Sequence, residues 1–125
     1  MNSPLAALRA RSLRGGVKRL FSIPALSAGE MVQYTREHAD IRGVLQDYGE
    51  FNSMYVINNS DAEIAIDLDF TSSKRTPVPA HMTMTIDQVQ YLEFQVVNVE
   101  TATAITAGQV KITAINERPL AREAR

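Results

Sequence analysis

The chain has 125 residues, of which 45% are apolar and 22% charged, and its formal net charge is −1, a composition typical of one folded domain. The absence of cysteine excludes disulfides, a thiol nucleophile and thiolate metal sites, and the two histidines, His38 and His81, are too few for a multi-histidine metal centre. No apolar run approaches the roughly 20 residues that a membrane-spanning helix needs.

Positive charge is concentrated at the start of the chain. Residues 1–29 contain five basic side chains and no acidic one, whereas the remaining residues contain eight basic and fourteen acidic side chains. This asymmetry predicts a basic arm over residues 1–29 that is joined to an acidic domain.

The arm is predicted to be partly helical. Ser3 is a suitable N-cap and Pro4 a suitable first residue for a short helix, which Gly15 and Gly16 interrupt. A second helical turn is predicted before Pro24, because apolar side chains recur there with i, i+3, i+4 spacing. These side chains are Val17, Leu20 and Phe21.

Three roles are open for the arm. It could pack on neighbouring subunits of an assembly, contact nucleic acid or anionic lipid through its charge, or act as a mitochondrial-type transit peptide. In an assembly, its basic side chains are expected to face acidic strand residues of a neighbour, such as Glu63, Asp67 and Asp69. The residues expected to anchor the arm are Leu5, Leu8, Arg9, Arg11, Arg14, Lys18, Arg19, Leu20 and Phe21.

Beyond the arm, turn signals at roughly 8–12-residue spacing predict about eight short strands. No convincing helix is predicted between them. The predicted strands cover residues 30–36, 41–45, 51–57, 63–69, 76–80, 82–86, 91–99 and 110–115.

Prolines and turn residues refine this pattern. Pro77 and Pro79 exclude a central strand and fit an edge strand or the start of a strand. The Asn-Asn-Ser-Asp run at residues 58–61 predicts a hairpin between the third and fourth strands, and the Asp-Gln pair at residues 87–88 predicts a further turn.

Alternation within the strands predicts which side chains form the core. In the fourth strand, Ile66 is expected to be buried, whereas Asp67 and Asp69 are expected on a solvated acidic face. The expected core consists of Ile64, Ile66, Leu68, Met82, Met84, Ile86, Leu92, Phe94, Val96, Val110 and Ile112.

These patterns indicate an all-β protein, an antiparallel two-sheet sandwich that is jelly-roll-like or immunoglobulin-like. Its body is expected to span residues 30–116, between the N-terminal arm and a charged C-terminal tail over residues 117–125. No internal repeat or low-complexity tract is present in the sequence.

Few side chains in the sequence are suited to catalysis or to metal binding. His38 and Asp40 could form a base with its orienting carboxylate, but no serine context suited to a nucleophile accompanies them, and His81 is expected to be a turn residue. The carboxylates between Asp61 and Asp69 could bind Ca²⁺, although a solvated strand face explains them more simply. We therefore expect no catalytic residue, no cofactor and no metal.

Four segments, at residues 46–51, 55–61, 77–80 and 105–110, together form a further pattern of strands and turns. A strand that ends in an Asn-rich turn leads to an acidic strand, and a Pro-Ala turn precedes the next strand. In this pattern, residues 46–115 resemble the small β-sandwich domains of virion structural proteins from tailed and tailless bacterial viruses, although His81 stands where such domains have glycine. The resemblance implies a minor capsid, cement or decoration role without catalytic residues.

The sequence thus predicts a non-enzymatic structural protein of a viral capsid, located in the virion, with other capsid proteins and copies of itself as partners. A carbohydrate- or surface-ligand-binding module is the alternative, because such modules use rows of exposed aromatic side chains. An organellar protein with a presequence-like end is a third hypothesis. The tyrosines available to a binding module are Tyr34, Tyr48, Tyr55 and Tyr91. Of these, Tyr55 and Tyr91 lie in apolar strand patterns, where packing in the core is expected instead.

Overall fold

The computed structural model describes residues 16–117 of the chain. These residues form eight β-strands, one α-helix and a short 3-10 helix. The strands are β1 (Val17–Ser22), β2 (Met31–Tyr34), β3 (Phe51–Asn58), β4 (Ile64–Leu68), β5 (Arg75–Val78), β6 (Met82–Tyr91), β7 (Phe94–Asn98) and β8 (Val110–Asn116). The α-helix is α1 (Ala39–Asp47), and the 3-10 helix covers Ser72–Lys74.

The strands form two antiparallel four-stranded sheets around a shared core. Sheet I has the strand order β1-β8-β3-β6, and sheet II has the order β2-β7-β4-β5. The first two strands lie in different sheets, whereas an immunoglobulin sandwich pairs its first two strands within one sheet. The predicted antiparallel sandwich is therefore confirmed, and the strand order is that of an eight-stranded jelly roll.

Strand β1 corrects the prediction of a helical turn before Pro24. Val17 pairs with Asn116 and Ser22 with Lys111, so the whole strand forms the edge of sheet I beside β8. Along it, the exposed Leu20 alternates with the buried Phe21, which is the period of a strand and not of a helix. The sandwich therefore begins within the segment assigned to the arm.

Helix α1 replaces the strand predicted over residues 41–45. The Nδ1 atom of His38, the N-cap residue, accepts a hydrogen bond from the Asp40 backbone N–H at 3.2 Å, and Asp40 adds negative charge in the first turn. Ile41 and Val44 are buried and lie one helical turn apart. The apolar spacing in this stretch was that of a helix, and the prediction assigned it the wrong period.

The hairpin predicted across residues 58–61 is also wrong. Strand β3 pairs with β6 and β8 in sheet I, whereas β4 pairs with β5 and β7 in sheet II. The turn carries the chain across the sandwich from one sheet to the other. A turn signal alone does not distinguish these two connections, because both require the same reversal of direction.

Two other boundaries depend on local backbone geometry. Strand β5 is an edge strand of sheet II, as Pro77 predicted. Strand β6 continues through residues 87–88, where a turn was predicted: Gln88 has a φ of +60°, and the pairing with β3 shifts register there. This irregularity is a β-bulge, which uses the same left-handed backbone as a turn without ending the strand.

One cluster of buried apolar side chains lies between the sheets. Most of the predicted core is buried, but Met82 is 44% exposed, and Met84 and Leu92 are half-buried. The confirmed core residues are Ile64, Ile66, Leu68, Ile86, Phe94, Val96, Val110 and Ile112. Within residues 16–117, no helix is long and apolar enough to cross a membrane.

Candidate functional site

The interior of the sandwich is occupied by side chains whose polar groups are already paired. Phe51 and Tyr91 stack with ring centroids 5.3 Å apart, and the Tyr91 hydroxyl donates to the Ser53 carbonyl oxygen at 2.6 Å. Burial raises the pKa of Tyr91 well above its ordinary value. Among the described residues, no buried side-chain nitrogen or oxygen lacks a hydrogen-bond partner. A binding site among the described residues is therefore expected on the outer face of a sheet.

The outer face of sheet I carries apolar and hydroxyl side chains in transverse rows. One row crosses the four strands through Leu20, Thr113, Tyr55 and Thr85, and the adjacent row runs through Lys18, Ile115, Ser53 and Asp87. Leu20 is 66% exposed and Tyr55 is 39% exposed. This arrangement places water-accessible apolar surface on the edge strand β1 and on the interior strand β3 of the same sheet face.

A depression with a volume of about 430 Å³ lies on this outer face. Within it, the Ser53 hydroxyl donates to the Asp87 carboxylate at 2.9 Å. Its lining carries two carboxylates, those of Asp87 and Glu117, and one ammonium group, that of Lys18. The complete lining is Lys18, Ser53, Tyr55, Thr85, Asp87, Thr113, Ile115 and Glu117.

The outer face of sheet II differs because its polar side chains bind one another. Gln33 donates to Gln95 at 2.9 Å, and Gln95 donates to Asp67 at 2.8 Å. Asp67 also accepts two hydrogen bonds from Arg75, at 2.7 and 2.8 Å. The four side chains form a hydrogen-bonded ladder across β2, β7, β4 and β5, and this ladder satisfies the groups that a ligand would otherwise contact.

Asp67 corrects the prediction of a solvated acidic face on β4. Its side chain is 1% exposed, although it lies on the outer side of the sheet. The hydrogen bonds from Arg75 hold the pKa of Asp67 below its ordinary value, against the opposing effect of burial. Since Arg75 neutralises this carboxylate, Asp67 is not free to pair with a neighbour's arm.

A similar pair lies at the end of sheet II. Arg36 contacts the Glu93 carboxylate with Nη2 3.0 Å from Oε2, and these hydrogen bonds lower the pKa of Glu93 and raise that of Arg36. Asp69 accepts from the backbone N–H of Leu92 at 2.8 Å, and its other oxygen lies 3.6 Å from Lys74 Nζ. These contacts fasten the loop between β6 and β7.

A second depression, of about 380 Å³, lies beside the edge strands β5 and β6. Its two cations are partnered, because Lys74 pairs with Asp69 and Arg75 pairs with Asp67. The lining residues are Leu68, Lys74, Arg75, Thr76, Val89 and Gln90. This depression therefore offers less unpaired charge than the one on sheet I.

Four of the predicted arm residues lie on β1, where some side chains face solvent and others face the core. Lys18 and Leu20 are exposed, and Arg19 is half-buried. Phe21 is a core residue whose ring lies 4.9 Å from Tyr34, centroid to centroid, so the prediction that it anchors on a neighbour is wrong. The other predicted arm residues, Leu5, Leu8, Arg9, Arg11 and Arg14, lie outside the described residues.

The histidines and carboxylates considered for chemistry have separate partners. His38 caps α1, and the Nε2 atom of His81 lies 2.7 Å from an Asp61 oxygen at an exposed position. No group of three or more His, Asp or Glu side chains within residues 16–117 is placed to hold a metal ion.

The sequence did not point to the outer face of sheet I. Tyr55 lies between Met54 and Val56, which are both buried, and this dense apolar run was interpreted as core. The signal that could have identified the face is strict alternation, because Tyr55 has the opposite parity to Met54 and Val56.

Comparisons with known proteins add little. No family model matches the chain, and no curated protein matches it. Among solved structures, a cupin superfamily protein from Desulfitobacterium hafniense aligns with 10% identity and a TM-score of 0.38, over 78% of this chain and 79% of that chain. Similarity at this level does not bear on function.

Proposed function

We propose that this protein is a non-enzymatic structural component of a viral capsid, a minor capsid, cement or decoration protein that binds other capsid proteins and copies of itself. The observation that carries the proposal is the outer face of sheet I, where Leu20, Tyr55 and Ile115 present apolar surface on a sandwich whose core is already packed. Contiguous exposed apolar surface is typical of protein–protein contact.

The fold is compatible with this role. Jelly rolls occur in viral capsid proteins, in lectins and in cupins, so the function has to be argued from the site. On the described residues the candidate chemical groups are paired in structural contacts, as with Asp67–Arg75 and Glu93–Arg36. The exposed face of sheet I is better suited to a partner surface than to a reaction.

If this proposal is right, the protein made in its native organism should be recovered in dense particles. These particles should protect nucleic acid from nuclease. Sucrose-gradient sedimentation followed by detection of the protein measures this directly. Recovery only in the slow-sedimenting fraction, in a culture that produces such particles, would contradict a virion role.

A matched variant tests the anchoring by the N-terminal segment. Deleting residues 1–15 should remove the protein from the particle fraction while its melting temperature stays unchanged, because β1 is retained. Deleting residues 1–24 is unsuitable, since it also removes Phe21 and Ile23 from the core. Incorporation of the 1–15 deletion at full occupancy would show that the segment is not an anchor.

The second candidate function is a carbohydrate- or surface-ligand-binding module. It is favoured by one observation, the exposed ring of Tyr55 beside the hydroxyls of Ser53, Thr85 and Thr113 and the carboxylate of Asp87. An aromatic face with nearby hydrogen-bonding groups is suited to a sugar ring. Binding on a glycan array that is lost in Tyr55→Ala would favour this function over the capsid role.

A further inference from the structure

The outer face of sheet I, represented by Leu20, Tyr55, Ile115 and Asp87, adjoins both ends of the described chain. Lys18, at the start of β1, and Glu117, just after β8, both line its depression. The position at which residues 1–15 join the described chain, Gly16, therefore lies next to this face. We infer that the face binds residues 1–15 of a second copy of the chain, an inference that rests on the proposed assembly function.

The length of this segment matches the face. A stretch of 15 residues is about 22 Å long as an α-helix and about 50 Å long when fully extended. A seven-residue strand such as β8 is about 23 Å long. An extended segment is therefore long enough to run the full length of β8, and a helical one would cover nearly all of it.

The chemistry of the segment is complementary to the face. Residues 1–15 contain three arginines, three leucines and no acidic residue. The leucines suit the apolar surface of the exposed Leu20 and Tyr55 and of the half-buried Ile115, and the arginines suit the carboxylates of Asp87 and Glu117. Burial of the leucines would supply most of the affinity, and the charges would favour one orientation.

The geometry of the chain ends favours a second copy over the same chain. Gly16 still lies against β8, since a Cβ on it would fall 1.8 Å from the Asn116 carbonyl oxygen. Contact with the face of the same chain would require a reversal of direction immediately before β1, which contact with a second copy does not require. Because β1 is the edge strand of sheet I, Leu20 is also accessible to a neighbour from the side.

Engineered cysteines test this inference cleanly, because the chain has none of its own. One full-length variant carries Leu8→Cys, and a second, distinguished in mass by a tag, carries Thr113→Cys on the face. Mixing them under mild oxidation should give the mixed disulfide, identified by mass. The matched control replaces Thr113→Cys with Met31→Cys, an exposed position on the outer face of sheet II that should not cross-link above background.

A second change defines the contact surface. Adding Tyr55→Arg to the Thr113→Cys chain should abolish the mixed disulfide without changing the melting temperature, since Tyr55 is an exposed side chain. Equal cross-linking to the face and to the Met31→Cys control would overturn the inference. So would a Leu8→Cys/Thr113→Cys double variant that cross-links only within its own chain at the same concentration.

The result separates this inference from the proposed function. If the 1–15 deletion abolishes incorporation into particles but no mixed disulfide forms, the assembly role stands and the face is not the docking site. If the disulfide forms but the protein is never found in particles, the contact between copies stands and the capsid role is wrong.

Discussion

Three strands end in an asparagine whose buried side chain holds the backbone of a neighbouring loop: Asn58 on β3, Asn98 on β7 and Asn116 on β8. Each amide Nδ2 donates to two or three backbone carbonyl oxygens. Each loop is thereby tied to a strand end without a disulfide. The accepting carbonyl groups belong to Ala62, Val78 and Pro79 for Asn58, to Leu26 and Thr103 for Asn98, and to Tyr48, Gly49 and Glu50 for Asn116.

We expect Asn58→Ala to destabilise the fold by about 1–3 kcal/mol, because buried carbonyl groups lose their partner. Asn58 Oδ1 also accepts from the Ser60 hydroxyl at 2.6 Å, so the turn between the sheets loosens as well. Urea unfolding measures the effect. Asn59→Ala, at an exposed position in the same turn, is the control and should change stability by less than about 0.5 kcal/mol.

Asp67 should make stability depend on pH in the acid range. Its folded pKa lies below the value of about 3.9 for an unperturbed aspartate, so the unfolded state binds this proton more readily. The stabilisation is therefore fully present above about pH 4 and is lost as the pH falls through the folded pKa. Glu93, whose pKa Arg36 also lowers, contributes in the same direction.

The test is urea unfolding of Asp67→Asn over a series of pH values. The substitution should cost about 1–3 kcal/mol at pH 7, because it weakens the hydrogen bonds to Arg75 and Gln95. It should also make the loss of stability at low pH less steep. Glu37→Gln, at an exposed position, is the control and should change stability at pH 7 by less than about 0.5 kcal/mol. An unchanged acid dependence in Asp67→Asn would show that another group is responsible.

At the scale of the element, β1 decides where the folded body begins. Phe21→Ala should destabilise the protein by about 3–5 kcal/mol, since the ring packs between Tyr34 and Phe94 in the core. Leu20→Ala, one residue earlier on the exposed side, should change stability by less than about 0.5 kcal/mol. Thermal unfolding of the two variants measures the difference. Equal losses would mean that β1 does not alternate between core and surface.

Some elements could be predicted from the sequence because the deciding interaction is local. Pro77 identified β5 as an edge strand, since proline lacks the N–H that a central strand must donate. The strands that pair with β3 could not be identified this way. Pairing between strands depends on residues that are far apart in the chain, as β3 and β8 are. The face of Tyr55 was missed for a different reason: the apolar residues on both sides of it conceal the alternation that separates it from the buried Met54 and Val56.

At the scale of the whole molecule, charge is separated between the body and the chain ends. Residues 16–117 contain seven basic and thirteen acidic side chains, whereas residues 1–15 contain three arginines and residues 118–125 three arginines and one glutamate. Since Val17 pairs with Asn116, the two positions at which residues 1–15 and 118–125 join the described chain lie at the same end of sheet I. We expect complementary charge on a neighbour that binds at this end to favour association in one orientation.

The charge of residues 1–15 should contribute only part of the free energy of self-association. Changing Arg9, Arg11 and Arg14 to Gln should weaken self-association only partly, because exposed ion pairs contribute about 0–1 kcal/mol each. The change should also reduce the dependence of association on salt, which screens such pairs. Changing Leu5 and Leu8 to Asp should weaken association more, since burying a leucine contributes about 1.5–3 kcal/mol. Sedimentation velocity at low and high salt compares the variants. If the arginine changes abolish association and the leucine changes do not, the segment acts through charge alone, and contact with nucleic acid or anionic lipid becomes its better explanation.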